Sequence, residues 1–254
     1  MVRDPQRARM VAAVTTTREF MRAAAGPIGA LGSSFYFAPS TVAVGKEHGL
    51  DGFRFYFLGR GGVLGDVESQ VVASAFGYFQ PALVEKMWTS AKDKMAPHDA
   101  ARLYLRCGHE LAREKLSGVD GLDELGAAAA TINDAIEPAG LALYAGIDAE
   151  PVPGDAPARA LHLITVLREA RGSAHLLAVR AAGLSARAAH QLKRPEDVKT
   201  FGWEDLELTD DDRAKHERAE EITDDILEPA FAAVDEFGRT ALLAGLRRIG
   251  AALS

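Results

Sequence analysis

The run LHLITVLREARGSAHLLAVRAA, Leu161 to Ala182, constrains this chain more than any other stretch. It contains no proline, a Pro-rich segment precedes it and Gly183 follows it, so it reads as one helix. At about 100° per residue, Leu163, Leu167, Ala170, Ala174, Leu177 and Ala181 fall on one apolar stripe. Arg168, Arg171 and His175 share a second face, and Leu161, Ile164 and Val179 lie on it too. His162, Glu169, Ser173 and Arg180 take a third side, which is the expected wet one. A helix apolar on two sides is no ordinary surface helix. Two arginines and a histidine among aliphatics suggest the polar wall of a pocket.

The rest of the chain repeats the helical signal and offers no convincing run of β-branched alternation. Asp4-Pro5 reads as a cap, with Met10, Val11, Val14, Met21 and Ala24 at helical spacing, and Gly26-Pro27 reads as the break. Pro39 starts a short helix ending at His48-Gly49. Phe53, Tyr56 and Phe57 share a helix face ahead of Gly59, Gly61, Gly62 and Gly65. Asp66 reads as the cap of a helix to Phe79, and Pro81 opens the next through Met87 and Trp88. Helices follow over Pro97 to Leu116, Asp120 to Ile136 and Pro138 to Gly146. After the long helix come Ala186 to Leu192, a Pro195 start and a loop around Phe201-Gly202-Trp203. Thr209 caps a long, highly charged helix, and a last amphipathic helix carries Leu242, Leu246, Ile249 and Leu253. The expected fold is therefore an all-α multi-helix bundle. Its organisation is residues 1–148, a Pro-rich linker at 149–157 and residues 158–254, with one continuous domain as the alternative.

A weak internal repeat supports two halves around a central pocket. YFAPSTVAVGKEHGLDG and IEPAGLALYAGID both lead from proline through small apolars to Gly-(Leu/Ile)-Asp, and an Arg-Gly helix follows each. On that reading Arg60 and Arg171 face one cavity lined by Tyr36, Phe57, Phe76 and Phe79.

Composition excludes several classes. One cysteine, Cys107, leaves no disulfide framework and no cysteine-based zinc site. The formal net charge of -7 argues against nucleic acid, whose phosphates need a basic footprint. No run reaches the roughly 18 apolar residues of a membrane span. Neither membrane nor signal core is evident, so a cytoplasmic location is the expectation. GRGGVLG follows no strand, and HExxH, Walker and Ser-His-Asp patterns are absent, so no metal and no cofactor are expected. Haem ligated by His175 is the one cofactor alternative.

Three blocks then carry a resemblance. FYFAPSTVAVGKEHGLDGFRFYFLGRGGVLG, FGYFQPALVEKMW and LHLITVLREARGSAHLLAV, in that order, resemble the SalK-like family of actinobacterial proteins, usually labelled helix-turn-helix. The resemblance implies Tyr36, Pro39, Arg60, Arg168, Arg171 and His175 as the matching positions. Gln80 stands where relatives often have histidine, which weakens a histidine-based metal site. Relatives continue from Gly-Trp into a winged helix. Here only Glu204 to Leu208 separate Gly202-Trp203 from Thr209, and three of those five residues are acidic. A recognition helix and a wing do not fit there.

The expectation is a small-molecule-binding all-α protein, an enzyme or accessory protein of specialised metabolism. His175 would do cofactor-independent acid–base work, with Arg168 and Arg171 holding an anionic or oxygen-rich metabolite. Tyr36, Phe57, Arg60, Phe76, Phe79 and Gln80 would line the ligand site. The plainer alternatives stay open: snorkelling arginines, a core histidine, and aromatics that only pack. A ligand-responsive transcription regulator is the alternative function, and a homodimer the alternative partner state.

Overall fold

The structure, a computed structural model, describes residues 16–254. Among them it contains twelve α-helices and no strand. The order is α1 Thr17–Leu31, α2 Pro39–Glu47, α3 Gly52–Gly61, α4 Ser69–Phe76, α5 Pro81–Lys92 and α6 Pro97–Leu116. Then come α7 Leu122–Asp134, α8 Ala142–Asp148, α9 Ala156–Ala181, α10 Ala186–Lys193, α11 Asp210–Ala232 and α12 Glu236–Leu253. The all-α reading therefore holds.

The starts follow local chemistry. Asp51 accepts hydrogen bonds from the Phe53 and Arg54 amides at the head of α3. Asp155 caps α9 through Ala158 N, and Thr209 and Asp212 form a reciprocal capping box on α11. Proline opens α2, α5 and α6, where its missing N–H costs nothing.

The predicted run is α9, longer by one turn at its start. It packs against α1, α6, α7, α8 and α11. Its wet side is a correction to the sequence reading: His162 is 2% and Glu169 1% exposed. The wheel assigned that side by residue type, but five surrounding helices leave the first four turns no water. Glu169 tolerates burial because two guanidinium groups meet it. The apolar stripe fails in the other direction at its end. Leu177 is 41% exposed and Ala181 is exposed, because α9 outruns its neighbours there.

Three further boundaries differ. The helix containing Met21 and Ala24 does not break at Gly26-Pro27; α1 runs through Pro27, and buried Ile28 and Leu31 hold its last turn in the core. The cap and spacing from Asp4 to Val14 lie outside the described residues. Asp66 does not cap a helix; it is exposed and pairs with Lys92, while α4 begins at Ser69. That helix ends at Phe76 and not Phe79, because Gly77 has φ 69°, a left-handed conformation that stops it.

The core is one buried cluster from Phe20 to Ile249, and a smaller cluster joins Ala178, Val179, Leu184, Ala188, Ala189 and Ala219. Leu242, Leu246 and Ile249 of α12 are buried against the chain's own α7 and α1. No described helix is long and apolar enough to cross a membrane.

Candidate functional site

The predicted set on α9 divides between two polar clusters. Arg168 joins the first, with Tyr36 from the turn before α2 and Arg60 from the last turn of α3. At its centre is Glu169. Arg60 grips that carboxylate with two hydrogen bonds, Nε to Oε1 at 2.9 Å and Nη2 to Oε2 at 2.7 Å. Arg168 Nη1 donates to Oε1 at 2.5 Å, and the Tyr36 hydroxyl donates to the same oxygen at 2.7 Å. Arg60 also donates to Tyr56 Oη at 3.1 Å and lies over the Phe76 ring at 4.4 Å. Burial alone would raise the Glu169 pKa, but Arg60, Arg168 and the hydrogen bonds outweigh it and hold it at about 2. Burial pushes the Tyr36 hydroxyl well above its usual range, so it stays a neutral donor. Two cations thus share one carboxylate, and the cluster keeps a net positive charge.

The aromatics expected at the ligand site surround this cluster. Tyr36, Phe57, Phe76 and Phe79 are all buried. Phe57 stacks on Phe76 at 5.3 Å and meets Phe79 edge-on at 4.8 Å. Gln80 sits half-buried at the head of α5, its backbone N–H donating to Phe201 O at 2.9 Å. A narrow crevice with free space of about 10 Å³, room for one water, touches Tyr36, Arg60, Glu169, Thr165 and Tyr104.

Arg171 and His175 turn away to α11. Arg171 Nη2 donates to Glu220 Oε2 at 2.7 Å. His175 Nε2 is 3.8 Å from Glu220 Oε1, and Lys193 Nζ is 3.8 Å from the same oxygen. His216 completes the group: single ligand-type atoms of His175, His216 and Glu220 all lie within 4.8 Å of one another. Arg60 and Arg171 therefore answer to different carboxylates, Glu169 and Glu220.

The protonation of His175 follows from its neighbours. Thr223 spends its one hydroxyl proton on Ala219 O at 2.7 Å. Its oxygen must then accept from His175 Nδ1–H at 2.8 Å. His175 is left with a bare Nε2 lone pair facing Glu220 and His216. Burial first, then Arg171 and Lys193 against the pull of Glu220, lower its pKa to about 4.

Tyr78, which is not among the candidates from sequence, feels the charges of both clusters. Its hydroxyl is buried and makes no hydrogen bond among the described residues. Burial raises its pKa, Glu220 raises it further, and Arg171 and Arg60 oppose them. The hydroxyl therefore lies in the fields of both clusters. Glu169 was misplaced on a wet face, and His216 and Glu220 lay hidden in the charged run of α11. Their four-residue spacing puts them on one helix face, which is the signal that could have found them.

Cys107 is buried and bonds Leu103 O, and His109 Nε2 meets His162 Nδ1 at 3.1 Å. Both are structural pairings remote from the clusters.

The end of α9, a turn at 182–185 with Gly183 at φ 73° and the short α10 form a helix–turn–helix. Three polar side chains of α10, Arg187, His190 and Gln191, are already engaged. Arg187 bonds Glu204 O and Asp205 O and lies over Trp203 at 5.5 Å. Gln191 exchanges two hydrogen bonds with the Leu206 backbone. His190 stacks on Phe201 at 3.8 Å. Residues 203–209 have no helix or strand, so no wing follows.

The fold and this turn define an all-α protein built around a helix–turn–helix. A family model described as a helix-turn-helix family matches residues 21–202, more than half of the chain. The chain belongs to that family, and α11 and α12 lie beyond the match. No curated protein and no solved structure matches it.

Proposed function

We propose that this chain binds an anionic or oxygen-rich small molecule at the Tyr78 hydroxyl, between the Arg60–Glu169 and Arg171–Glu220 pairs. The observation that carries this reading is the Tyr78 hydroxyl itself, buried without a partner. Leaving such a group unsatisfied costs about 1–3 kcal/mol, a cost that a ligand oxygen removes. Two guanidiniums, Arg171 and Arg60, act on it against one carboxylate, Glu220, in a chain of net charge -7. That local excess of positive charge favours carboxylate, phosphate or enolate oxygens. Phe57, Phe76 and Phe79 supply the apolar wall.

The acid–base role expected of His175 changes form. An imidazole held near 4 is a weak proton acceptor at neutral pH. Its Nε2 acts in this reading as a fixed acceptor for a ligand hydroxyl. The resemblance to SalK-like proteins of specialised metabolism is consistent with this use.

The test compares the full chain with Tyr78→Phe and Arg171→Ala in mass-spectrometric retention of a panel of carboxylate- and phosphate-bearing metabolites. Retention by the wild type, lost in both variants, is expected. Identical retention by all three proteins would remove the site.

The regulator reading rests on the α9–turn–α10 geometry and the family description. It requires α10 to read a groove with side chains already bound to residues 203–206. A gel shift showing tight, specific, salt-dependent binding to promoter DNA would favour it.

A further inference from the structure

The geometry points to a transition-metal site formed by His175, His216 and Glu220, taking a divalent cation of the zinc class. It shares only the His175 Nε2 lone pair with the small-molecule reading, and the ion takes that lone pair in place of a ligand hydroxyl.

Three observations carry it. The donors are two imidazoles and a carboxylate from two packed helices, already within 4.8 Å of one another. Ligands on a tetrahedral ion with bonds of about 2.0–2.1 Å lie roughly 3.3 Å apart. The observed 3.8 Å between His175 Nε2 and Glu220 Oε1 is close to that. Second, the hydrogen-bond chain from His175 through Thr223 to Ala219 O fixes the tautomer that a metal needs. The bare Nε2 lone pair faces a carboxylate, an acceptor against an acceptor, and a cation between them turns that repulsion into two bonds. The Thr223 hydroxyl is the outer partner that orients a ligating histidine. Third, His216 Nε2 is buried and without a hydrogen-bond partner among the described residues.

Arg171 and Lys193 work against the charge of the ion. Arg171 binds Glu220 Oε2, however, and so leaves Oε1 for the metal. Lys193 is half exposed and free to swing outward. Both favour an anionic group or chloride in the open fourth position. Two nitrogens and one oxygen suit zinc, cobalt or nickel better than magnesium or calcium.

The experiment uses the full chain without an affinity tag, treated with chelator and titrated with Co²⁺ in chloride buffer. Visible absorption reports tetrahedral coordination, and Zn²⁺ competes. One ion per chain is expected, with affinity falling at least about 100-fold in His216→Ala and Glu220→Gln. Thr223→Val should weaken it about 10–100-fold. Glu220→Gln keeps the shape and the Arg171 contact, so it decides the matter if His216→Ala fails to fold. Absence of binding at millimolar Co²⁺, or equal affinity in wild type and Glu220→Gln, would overturn the site. Neither result would alter the expected Tyr78 behaviour, so the two readings fail separately.

Discussion

Two buried tyrosine hydroxyls, those of Tyr36 and Tyr78, have opposite standing. The Tyr36 hydroxyl donates to the buried Glu169 carboxylate at 2.7 Å, whereas the Tyr78 hydroxyl donates to nothing described. Tyr36→Phe should cost about 1.5–3 kcal/mol, the range for a hydrogen bond to a charged group. Tyr78→Phe should cost close to nothing or stabilise slightly, and its effect should fall on ligand retention. Urea unfolding of the two variants checks both. Helical spacing sets Arg168, Arg171 and His175 on one face, but a shared face does not choose the partner of a long side chain. Arg168 reaches the carboxylate beside it, and Arg171 reaches across to α11. No pattern local to α9 could show that, because Glu220 lies 49 residues further along.

Helix ends with a chemical marker were legible in the sequence. Pro97 to Leu116 coincides with α6, and the Thr209 cap and Pro39 and Pro81 starts stand where expected. The failures share a cause, since local signals lose to tertiary packing. Pro27 sits inside α1 because Ile28 and Leu31 are worth more buried than the turn is worth broken. Glycines repeat the lesson at the level of contact. A Cβ at Gly62 would lie 2.0 Å from Pro97 O, where α3 meets the backbone of α6. Gly62→Ala should therefore cost about 3 kcal/mol or more. Gly172, in the Arg-Gly step of α9, has nothing within 4 Å of its Cβ position. Gly172→Ala should stabilise the chain by about 0.5–1 kcal/mol through helix propensity alone. Thermal unfolding of the pair separates close packing from mere sequence pattern.

Across the whole molecule, the all-α fold was readable from period and punctuation, and the site only in part. The family match ends at residue 202, yet α11 beyond it supplies Glu220, His216 and Thr223 to the second cluster. That helix reads as a charged solvent helix because its first two turns are one, with Asp210, Asp211, Arg213 and Glu217 exposed.

Stability against acid is a further whole-chain property. His109 and His162 are buried against each other, and burial lowers both pKa values to about 4. The unfolded chain binds protons at these imidazoles below about 6.5, and the folded chain does not until about 4. Stability from this pair is therefore complete above about 6.5 and declines as pH falls towards 4, by about 1–2 kcal/mol per pH unit, His109 being partly exposed. His162→Gln should flatten that slope in denaturant titrations between pH 4 and 6.5.

In the proposed function the positive ground around Tyr78 serves a small molecule and not DNA. The most direct measurement is ligand retention by the intact chain, read by mass spectrometry for wild type and Tyr78→Phe side by side. An anionic or oxygen-rich compound should be held by the wild type and lost from a Tyr78→Phe protein of unchanged stability. Equal retention by both proteins, or no retained compound from a chain that binds promoter DNA specifically, would contradict it.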